Sequence, residues 1–402
     1  MKVKTLRSNC TKQNMDAAVA EGNVSSLVSG NNAFTLKLFQ KARKQDVNLI
    51  FSPYSISAAL AMTWAGARGE TETEMAAIMN FILEQPQLHP AFKSLDARLN
   101  QKSKSQGGED IDGFKLRIVN SIWGQKGYQF LPSFLDTLAK NYGTGLNLVD
   151  FKNKTEESRR AINDWVLEQT QGKIEELVGQ GTIDKLTRLV LTNAIYFKGR
   201  WKYPFEAFRT AENIFRLLNG DEIFAPMMNR VMHISYAETG NCHVVELPYK
   251  TGDASMVILL PHFGKHDDFV NTLDSENLHT MIKELKPADV NLTMPRFEFK
   301  YNLALKQALI EMGMKSAFTS SADFSGIGRE GDLCLQDVLH KAFVAVDEEG
   351  TEAAAATAAI VGIKSFTPLA VQLKIDRPFI FLIRHIETGA ILFMGQVQNP
   401  LA

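Results

Sequence analysis

The stretch Asp347-Glu348-Glu349-Gly350-Thr351-Glu352-Ala353-Ala354-Ala355-Ala356-Thr357-Ala358-Ala359 decides how the whole chain is interpreted. Four consecutive alanines are compatible with a helix, because Ala is the strongest helix former. In a strand, side chains alternate between two faces, which places only small or apolar residues on one face: Thr351, Ala353, Ala355, Thr357, Ala359 and Val361. Glu352, the only charge after Gly350 in this stretch, falls on the other face. We interpret the segment as a loop that can become a strand inside an existing sheet.

Residues 348–357 resemble the proximal hinge of an inhibitory serpin. Four further blocks resemble the same family and occur in the family's order: Asn48–Ile56, Thr192–Trp201, the C-terminal signature Leu373–Ile383, and the final strand around Phe393-Met394-Gly395. The resemblance extends from about Asn31 to Pro400, which is nearly the whole chain.

The resemblance implies the serpin fold, an α+β architecture with mixed β-sheets, about eight or nine helices and an exposed reactive-centre loop at about residues 350–367. The order of the elements agrees, because helical patterns come mostly first and strand patterns later. Residues 1–30 are polar and are expected to form a mobile N-terminal tail. Residues 31–402 are expected to form one domain, with Asn31 capping its first helix.

Composition argues against several classes of partner. Lys and Arg number 44 against 45 for Asp and Glu, and a net charge of −1 provides no basic field for nucleic acid. No apolar run is long enough to span a membrane. The three cysteines suggest no disulfide framework, and the eight histidines show no zinc-site spacing, so we expect no metal and no cofactor.

The compartment is open at this stage. The family resemblance implies an extracellular monomer. The first 30 residues lack the apolar segment of a secretion signal, which makes a cytoplasmic location the alternative.

The residue presented to a protease follows from the family's spacing, sixteen positions after Glu348. That position is Lys364, so the reactive bond is Lys364–Ser365. A Lys ammonium group pairs with the acid at the base of a trypsin-type pocket. The distance from Lys364 to Pro378 is similar to that in antithrombin-like members. A slip of one or two positions would instead present Phe366 to a chymotrypsin-like pocket.

The resemblance assigns two further groups of residues. The hinge comprises Glu348, Gly350, Thr351, Ala353, Ala354, Ala355, Ala356 and Thr357. A polar cluster that controls opening of the central sheet matches Ser52, Ser55, Asn193 and His340. The alternative is a helix cap, a strand Asn and a core His that are satisfied separately. Trp201 matches the tryptophan where the loop first enters the sheet, although a buried Trp is more often simply a core residue.

The function implied is suicide inhibition, in which a serine protease attacks the bait and the cleaved loop inserts into the central sheet while still acylated. The chain would then be no enzyme, and its partner would be a trypsin-like serine protease in a covalent acyl complex. Two variants remain, a non-inhibitory serpin acting as carrier or chaperone and an inhibitor of papain-like cysteine proteases. A hydrolase is disfavoured, since the sequence has no Gly-x-Ser-x-Gly, His-Glu-x-x-His or Walker-type motif.

Overall fold

Two large β-sheets and nine α-helices make up the part of the chain that the computed structural model describes, residues 3–6, 20–100, 115–351 and 370–402. The α+β class, the mixed sheets and the expected number of helices are therefore confirmed. The helices of the described residues are α1 (Glu21–Ala42), α2 (Pro53–Trp64), α3 (Gly69–Met79), α4 (Gln85–Leu99), α5 (Pro132–Tyr142), α6 (Thr155–Gln169), α7 (His266–Thr272), α8 (Ser275–Lys283) and α9 (Leu305–Met312).

The strands belong to a seven-stranded and a nine-stranded sheet. In chain order they are β1 (Lys4–Leu6), β2 (Leu49–Phe51), β3 (Lys115–Gln125), β4 (Leu146–Val149), β5 (Leu189–Arg200), β6 (Ala211–Arg216), β7 (Glu222–Glu238), β8 (Cys242–Pro248), β9 (Ala254–Pro261), β10 (Lys286–Pro295), β11 (Phe297–Ala304), β12 (Val338–Val346), β13 (Gly350–Thr351), β14 (Val371–Lys374), β15 (Phe379–His385) and β16 (Ile391–Val397).

The seven-stranded sheet has the order β1-β4-β3-β5-β13-β12-β11. The other sheet has the order β14-β10-β7-β8-β9-β15-β16-β2, with β6 paired to β7. Strands β15 and β16 lie well inside this second sheet and are almost entirely buried, which explains their near-continuous apolar sequence. Much of the C-terminal signature therefore belongs to the hydrophobic core.

The helix behind the seven-stranded sheet is α2, whose residues are all buried. Its sequence is rich in Ala and small residues, so it can approach the sheet closely. Pro53 occupies the first turn, where its missing N–H costs nothing, and Ser52 is the N-cap, accepting a hydrogen bond from the Ser55 backbone N–H at 3.2 Å.

The start of the folded domain differs from the expectation. Helix α1 begins at Glu21, and Val24, Leu27 and Val28 are buried at helical spacing. Asn31, the predicted cap, is a buried residue within this helix. Strand β1 also belongs to the fold, because it pairs with β4 in the seven-stranded sheet. The prediction of a tail over residues 1–30 is wrong for these two parts, since burial against the core outweighs the polar composition that suggested a tail.

No helix among the described residues has both the length and the apolar character needed to cross a bilayer.

Candidate functional site

At one end of the seven-stranded sheet, β13 separates β5 from β12. These two strands pair directly in parallel from Leu191–Val338 to Ile195–Ala342. Farther along, β13 lies between them, with Gly350 opposite Arg200 and Thr351 opposite Gly199 on β5, and with Thr351 opposite Val346 on β12. Gly350 and Thr351, the first two residues of the predicted loop, are therefore already part of a strand in the central sheet.

The reversal from β12 into β13 is a tight turn held by the protein around it. The Asp347 carboxylate accepts hydrogen bonds from the backbone N–H groups of Glu349 and Gly350 at 2.9 and 3.1 Å. On the outer side, the Glu349 and Glu348 carbonyls accept from the backbone N–H groups of Trp201 and Phe205 at 2.9 and 2.8 Å. The turn is therefore fixed on both its inner and its outer side.

Gly350 must be glycine because of a close backbone approach. A Cβ atom at this position would lie 2.0 Å from the carbonyl oxygen of Gly199, far inside van der Waals contact. The strands can therefore meet here only where there is no side chain.

Thr351 is 1% exposed, and its hydroxyl lies 2.7 Å from the Tyr249 hydroxyl. The Tyr249 ring stacks on Trp201 at 4.7 Å between centroids, and the Trp201 indole N–H donates to the Asp347 carbonyl at 3.0 Å. Burial raises the pKa of Tyr249 far above its usual value, so the phenol stays neutral. Trp201 thus lies beside the turn into β13, to which it contributes a hydrogen bond as well as packing. Tyr249 was missed, because nothing in its local sequence connects it to the hinge.

Glu348 is the buried acid of the hinge. Its carboxylate is bound by the Arg296 guanidinium, whose Nε donates at 2.7 Å, and by the Thr210 hydroxyl. Burial acts to raise the pKa of Glu348, but the bonds from Arg296 and Thr210 outweigh it and the net pKa is lowered. Arg296 occupies the break between β10 and β11, and sequence reasoning missed it since 52 residues separate it from Glu348.

The four predicted cluster residues come together where β5 and β12 pair directly. Asn193 and His340 stand opposite each other in the parallel register, with Asn193 Oδ1 2.5 Å from His340 Nδ1. Asn193 also donates to the Ser55 hydroxyl at 2.7 Å, and His340 Nε2 accepts from the Ser52 backbone N–H at 3.1 Å. These contacts join the residues to one another, while the Ser52 hydroxyl itself caps α2. The network joins both strands to the start of α2.

Asn120 on β3 is a fifth member that sequence reasoning missed. Its Oδ1 accepts from Asn193 and from the Ser55 hydroxyl at 2.7 and 3.0 Å, and its Nδ2 donates to the Ser55 carbonyl at 3.0 Å. An amide in the otherwise apolar run Ile118-Val119-Asn120 was the available signal.

The contacts of His340 define its protonation. Nε2 accepts a hydrogen bond from a backbone N–H, so the proton of the neutral ring is on Nδ1, where it is donated to Asn193. Burial lowers the pKa of His340 to about 3. The ring is therefore neutral at pH 7. Protonation of Nε2 would remove the only lone pair that accepts the hydrogen bond from the Ser52 backbone N–H.

We expect acidification to destabilise the folded chain partly through His340. An unfolded His has a pKa of about 6.5, whereas the folded His340 has a pKa of about 3, so between these values the unfolded state binds more protons. Stability then falls as the pH is lowered from about 6.5 toward 3. The measurement is the urea midpoint of unfolding between pH 7 and pH 5, in the wild type and in His340→Asn.

The variant should be less stable at pH 7 but less sensitive to pH, since it retains hydrogen-bonding capacity without the titrating ring. His233→Ala is the matched control, because His233 is exposed and pairs with Asp289 at the surface. Equal pH slopes for His340→Asn and the wild type would contradict the assignment.

The remaining predicted residues lie outside the described part of the chain. These are the hinge residues Ala353, Ala354, Ala355, Ala356 and Thr357, and the reactive bond Lys364–Ser365. Among the described hinge residues, Glu348, Gly350 and Thr351 all take part in the contacts above.

Comparison with known proteins places these features in context. The family model described as "Serpin (serine protease inhibitor)" matches residues 29–400. Human leukocyte elastase inhibitor is 39% identical over 388 residues, which cover 93% of this chain and 99% of that protein. The structure of a thermophilic serpin, Tengpin, in the native state has a TM-score of 0.85 at 26% identity, with 99% of this chain and 100% of that chain covered. Human thyroxine-binding globulin complexed with thyroxine has a TM-score of 0.83 at 30% identity, with 94% and 100% covered.

Proposed function

This chain belongs to the serpin family, and from the geometry of its hinge we propose that it is a suicide-substrate inhibitor of trypsin-like serine endopeptidases. The coarser function, protease inhibition, follows from the family and from the leukocyte elastase inhibitors among its relatives. Trypsin-like specificity and the reactive bond are the further steps of the proposal.

The observation that carries the proposal is the register of β13. Gly350 and Thr351 run antiparallel to β5, so each further loop residue would move one residue back along β5, and residue 361 would reach Leu189, where β5 begins. By the same stepping from the Thr351–Val346 pair, residue 359 would reach Val338, the first residue of β12. The small-residue segment is thus as long as the strands it would enter.

The side chains that would face the interior after insertion also support the proposal. Thr351 directs its side chain to the buried Tyr249 hydroxyl. Side chains at alternate positions share a face, so Ala353, Ala355, Thr357, Ala359 and Val361 would follow Thr351 toward the interior. None of them is charged or large. The sheet can therefore accept the segment without burying an unpaired charge.

Insertion would supply enough free energy to disturb a protease. Ten residues from 352 to 361 span roughly 33 Å at the rise of a strand. Each new ladder hydrogen bond contributes about 1 kcal/mol net, so insertion releases on the order of 10 kcal/mol even after the direct β5–β12 pairs are lost. That is comparable with the whole stability of a protease domain, about 5–15 kcal/mol. Insertion of the loop after cleavage is the established behaviour of inhibitory serpins.

The consequence for the protease is a stalled acyl-enzyme. Its serine attacks the Lys364 carbonyl, the Lys364–Ser365 bond breaks, and the ester carries the protease along with the inserting loop. A displacement of about 1 Å in an active site costs roughly a hundredfold in rate. Loss of an oxyanion-hole donor costs about a further 100- to 1000-fold. Water then fails to release the ester.

The native state would be held kinetically. The Asn193–His340 bond and the direct β5–β12 ladder must both break before residues 353–361 can enter. The network of Ser52, Ser55 and Asn120 connects this pair to α2 and β3, so opening the sheet disturbs several buried polar groups at once. We expect this cluster to set the barrier to insertion.

The proposal is tested by mixing the protein with trypsin and separating the products by denaturing gel electrophoresis. The expected result is a band that survives boiling and runs near the summed masses of the chain and trypsin. The mass of the released C-terminal peptide should be that of a peptide beginning at Ser365. Cleavage at Lys364 without a covalent band would contradict the inhibitory mechanism toward trypsin. A covalent band with the peptide beginning elsewhere would contradict the assignment of Lys364.

The second candidate is a non-inhibitory serpin, and the thyroxine-binding globulin of similar structure shows that the fold also occurs in a hormone-binding protein. The hinge argues against it here. A carrier needs no insertable segment, whereas this chain keeps Gly350 and Thr351 between β5 and β12 and continues, after Glu352, with four alanines. Cleavage by trypsin without any rise in the chain's thermal stability would favour the carrier.

A further inference from the structure

A group of three potential metal ligands lies at one end of the nine-stranded sheet, on strands that the hinge does not use for insertion. Glu238 ends β7, His243 is the second residue of β8, and His262 directly follows β9. Their ligand atoms all lie within 4.8 Å of one another. The sequence spacing predicted no metal site, because the three residues approach only through the pairing of three strands.

The register explains why they meet. Glu238 stands opposite His243 in the β7–β8 hairpin, and cross-strand partners direct their side chains to the same face. Leu260 stands opposite His243 on the other side, so His262, two residues farther, lies diagonally on that face. The backbone N–H of His262 donates to the Asn241 carbonyl at 2.9 Å, which fixes the chain at this point.

The hydrogen bonds around His243 leave a nitrogen available for a ligand. His243 Nδ1 lies 2.9 Å from the Tyr236 hydroxyl, and that hydroxyl lies 3.4 Å from a Glu238 carboxylate oxygen. His243 Nδ1 also lies 4.0 Å from the other Glu238 carboxylate oxygen. If Tyr236 donates to the carboxylate, it accepts from Nδ1–H, and Nε2, which then carries the lone pair of the neutral ring, is the nitrogen that would bind the metal. An outer partner of this kind is what metal-binding histidines normally have on the nitrogen that does not bind the metal.

His262 gives a second, independent reason to expect a ligand at this position. Its Nε2 atom is buried and has no hydrogen-bond partner among the described residues, although buried polar atoms are generally paired. The His262 ring stacks on His243 with 4.6 Å between centroids and 23° between planes. A buried imidazole nitrogen without a partner, next to a second imidazole and a carboxylate, is satisfied if all three share a ligand.

We propose that Glu238, His243 and His262 bind a divalent transition-metal ion, with Zn²⁺ as the ion that fits the donor set best. Two imidazole nitrogens and one carboxylate oxygen are a set that zinc accepts, with the fourth position left to water. The ligand atoms of a tetrahedral zinc ion are roughly 3.3 Å apart, so the side chains must close by at most about 1.5 Å. The two stacked imidazole rings must also turn, so that their in-plane lone pairs point to one ion. Glu238 has the freedom to do so, because its side chain is 56% exposed.

A positive charge, Arg377, lies near this group. Burial and, to a smaller extent, the charges of His262 and Arg377 lower the pKa of His243, while the Arg377 guanidinium donates to the Pro261 carbonyl and to the Asp376 carboxylate at 2.9 Å each. A bound ion would connect the ends of β7, β8 and β9. We therefore expect zinc to stabilise the native fold by binding it in preference to the unfolded chain.

The experiment is calorimetric titration of the full chain, without a histidine tag, with ZnCl₂, in the wild type and three variants. Glu238→Gln and His262→Ala remove one ligand each, and Glu238→Gln alters only an exposed carboxylate, which protects the test against misfolding. His233→Ala is the matched control, because His233 lies on the same strand β7 and forms an exposed pair with Asp289 at 2.9 Å.

The expected result is one ion per chain, with affinity at least about 100-fold weaker in both ligand variants, since loss of even an outer-shell partner costs about 10- to 100-fold. His233→Ala should match the wild type, and Co²⁺ bound to the wild type should show the visible absorption of a four-coordinate ion. Absence of one-to-one binding in the wild type would overturn the proposal. A zinc affinity of Glu238→Gln and His262→Ala equal to that of the wild type would overturn it as well, because the zinc would then be held elsewhere, for example by the thiol of Cys334.

Discussion

Thr351→Arg is expected to turn the inhibitor into a substrate of trypsin. Thr351 is 1% exposed and its hydroxyl lies against Tyr249, so an Arg here would drive β13 out of the native sheet to keep its charge in water. Insertion of the loop would then have to bury that unpaired charge. Such a burial costs about 3–5 kcal/mol. If about 3 kcal/mol of this appears in the barrier, insertion slows roughly 100-fold. The acyl-enzyme then hydrolyses before the loop is in place. The measurement is the ratio of cleaved chain to covalent complex on a denaturing gel.

Thr351→Ser is the matched control for this prediction. It keeps the hydroxyl that contacts Tyr249 and adds no charge, so it should form the covalent complex as the wild type does. The unfolding midpoint of each variant shows whether the native fold is retained. A Thr351→Arg variant that still traps trypsin with one inhibitor per protease would disprove insertion along the register of β13.

Lys364→Ala is expected to abolish inhibition of trypsin without changing the fold. The ammonium group pairs with the acid of a trypsin-type pocket. A site built around a polar partner discriminates against a ligand that lacks it by roughly 10⁴-fold. The second-order rate constant of trypsin inhibition should fall by about that factor, while the unfolding midpoint stays the same. Kinetics under excess inhibitor provide this rate constant directly.

Two further substitutions at the same position make the result specific. Lys364→Arg retains the charge and should keep trypsin inhibition. Lys364→Phe should transfer inhibition to chymotrypsin, since an aromatic side chain fits its apolar pocket. If Lys364→Ala remains as potent as the wild type, the reactive bond lies elsewhere, and Phe366 becomes the first position to replace.

The parts of the fold that the sequence predicted are those with a local or a family-wide signal. Most of the block at residues 192–201 lies in β5, and the block predicted as the final strand, residues 393–395, lies in β16. The alternation after Gly350 predicted which face of the hinge would be buried, and the burial of Thr351 agrees with it.

What the sequence did not predict depends on contacts between distant segments. Tyr249 and Arg296 reach the hinge from 102 and 52 residues away, and each local sequence is unremarkable. Glu238, His243 and His262 meet only because β7, β8 and β9 are neighbours in one sheet. The early start of α1 was missed for another reason: Ser25, Ser26, Asn31 and Asn32 lower its helix propensity, and its stability comes from residues such as Val24 and Leu27 that pack on the core.

Under the proposed mechanism, the match between residues 352–361 and the lengths of β5 and β12 means that each molecule works only once. After insertion no unpaired length of the gap remains, and a cleaved chain cannot return its loop to the surface without breaking every ladder bond that it formed. One molecule of the chain is then consumed for each protease molecule that is inhibited. An organism using such a protein would regulate protease activity through the rate at which fresh chains are synthesised, and a dissociation constant would not describe its dose.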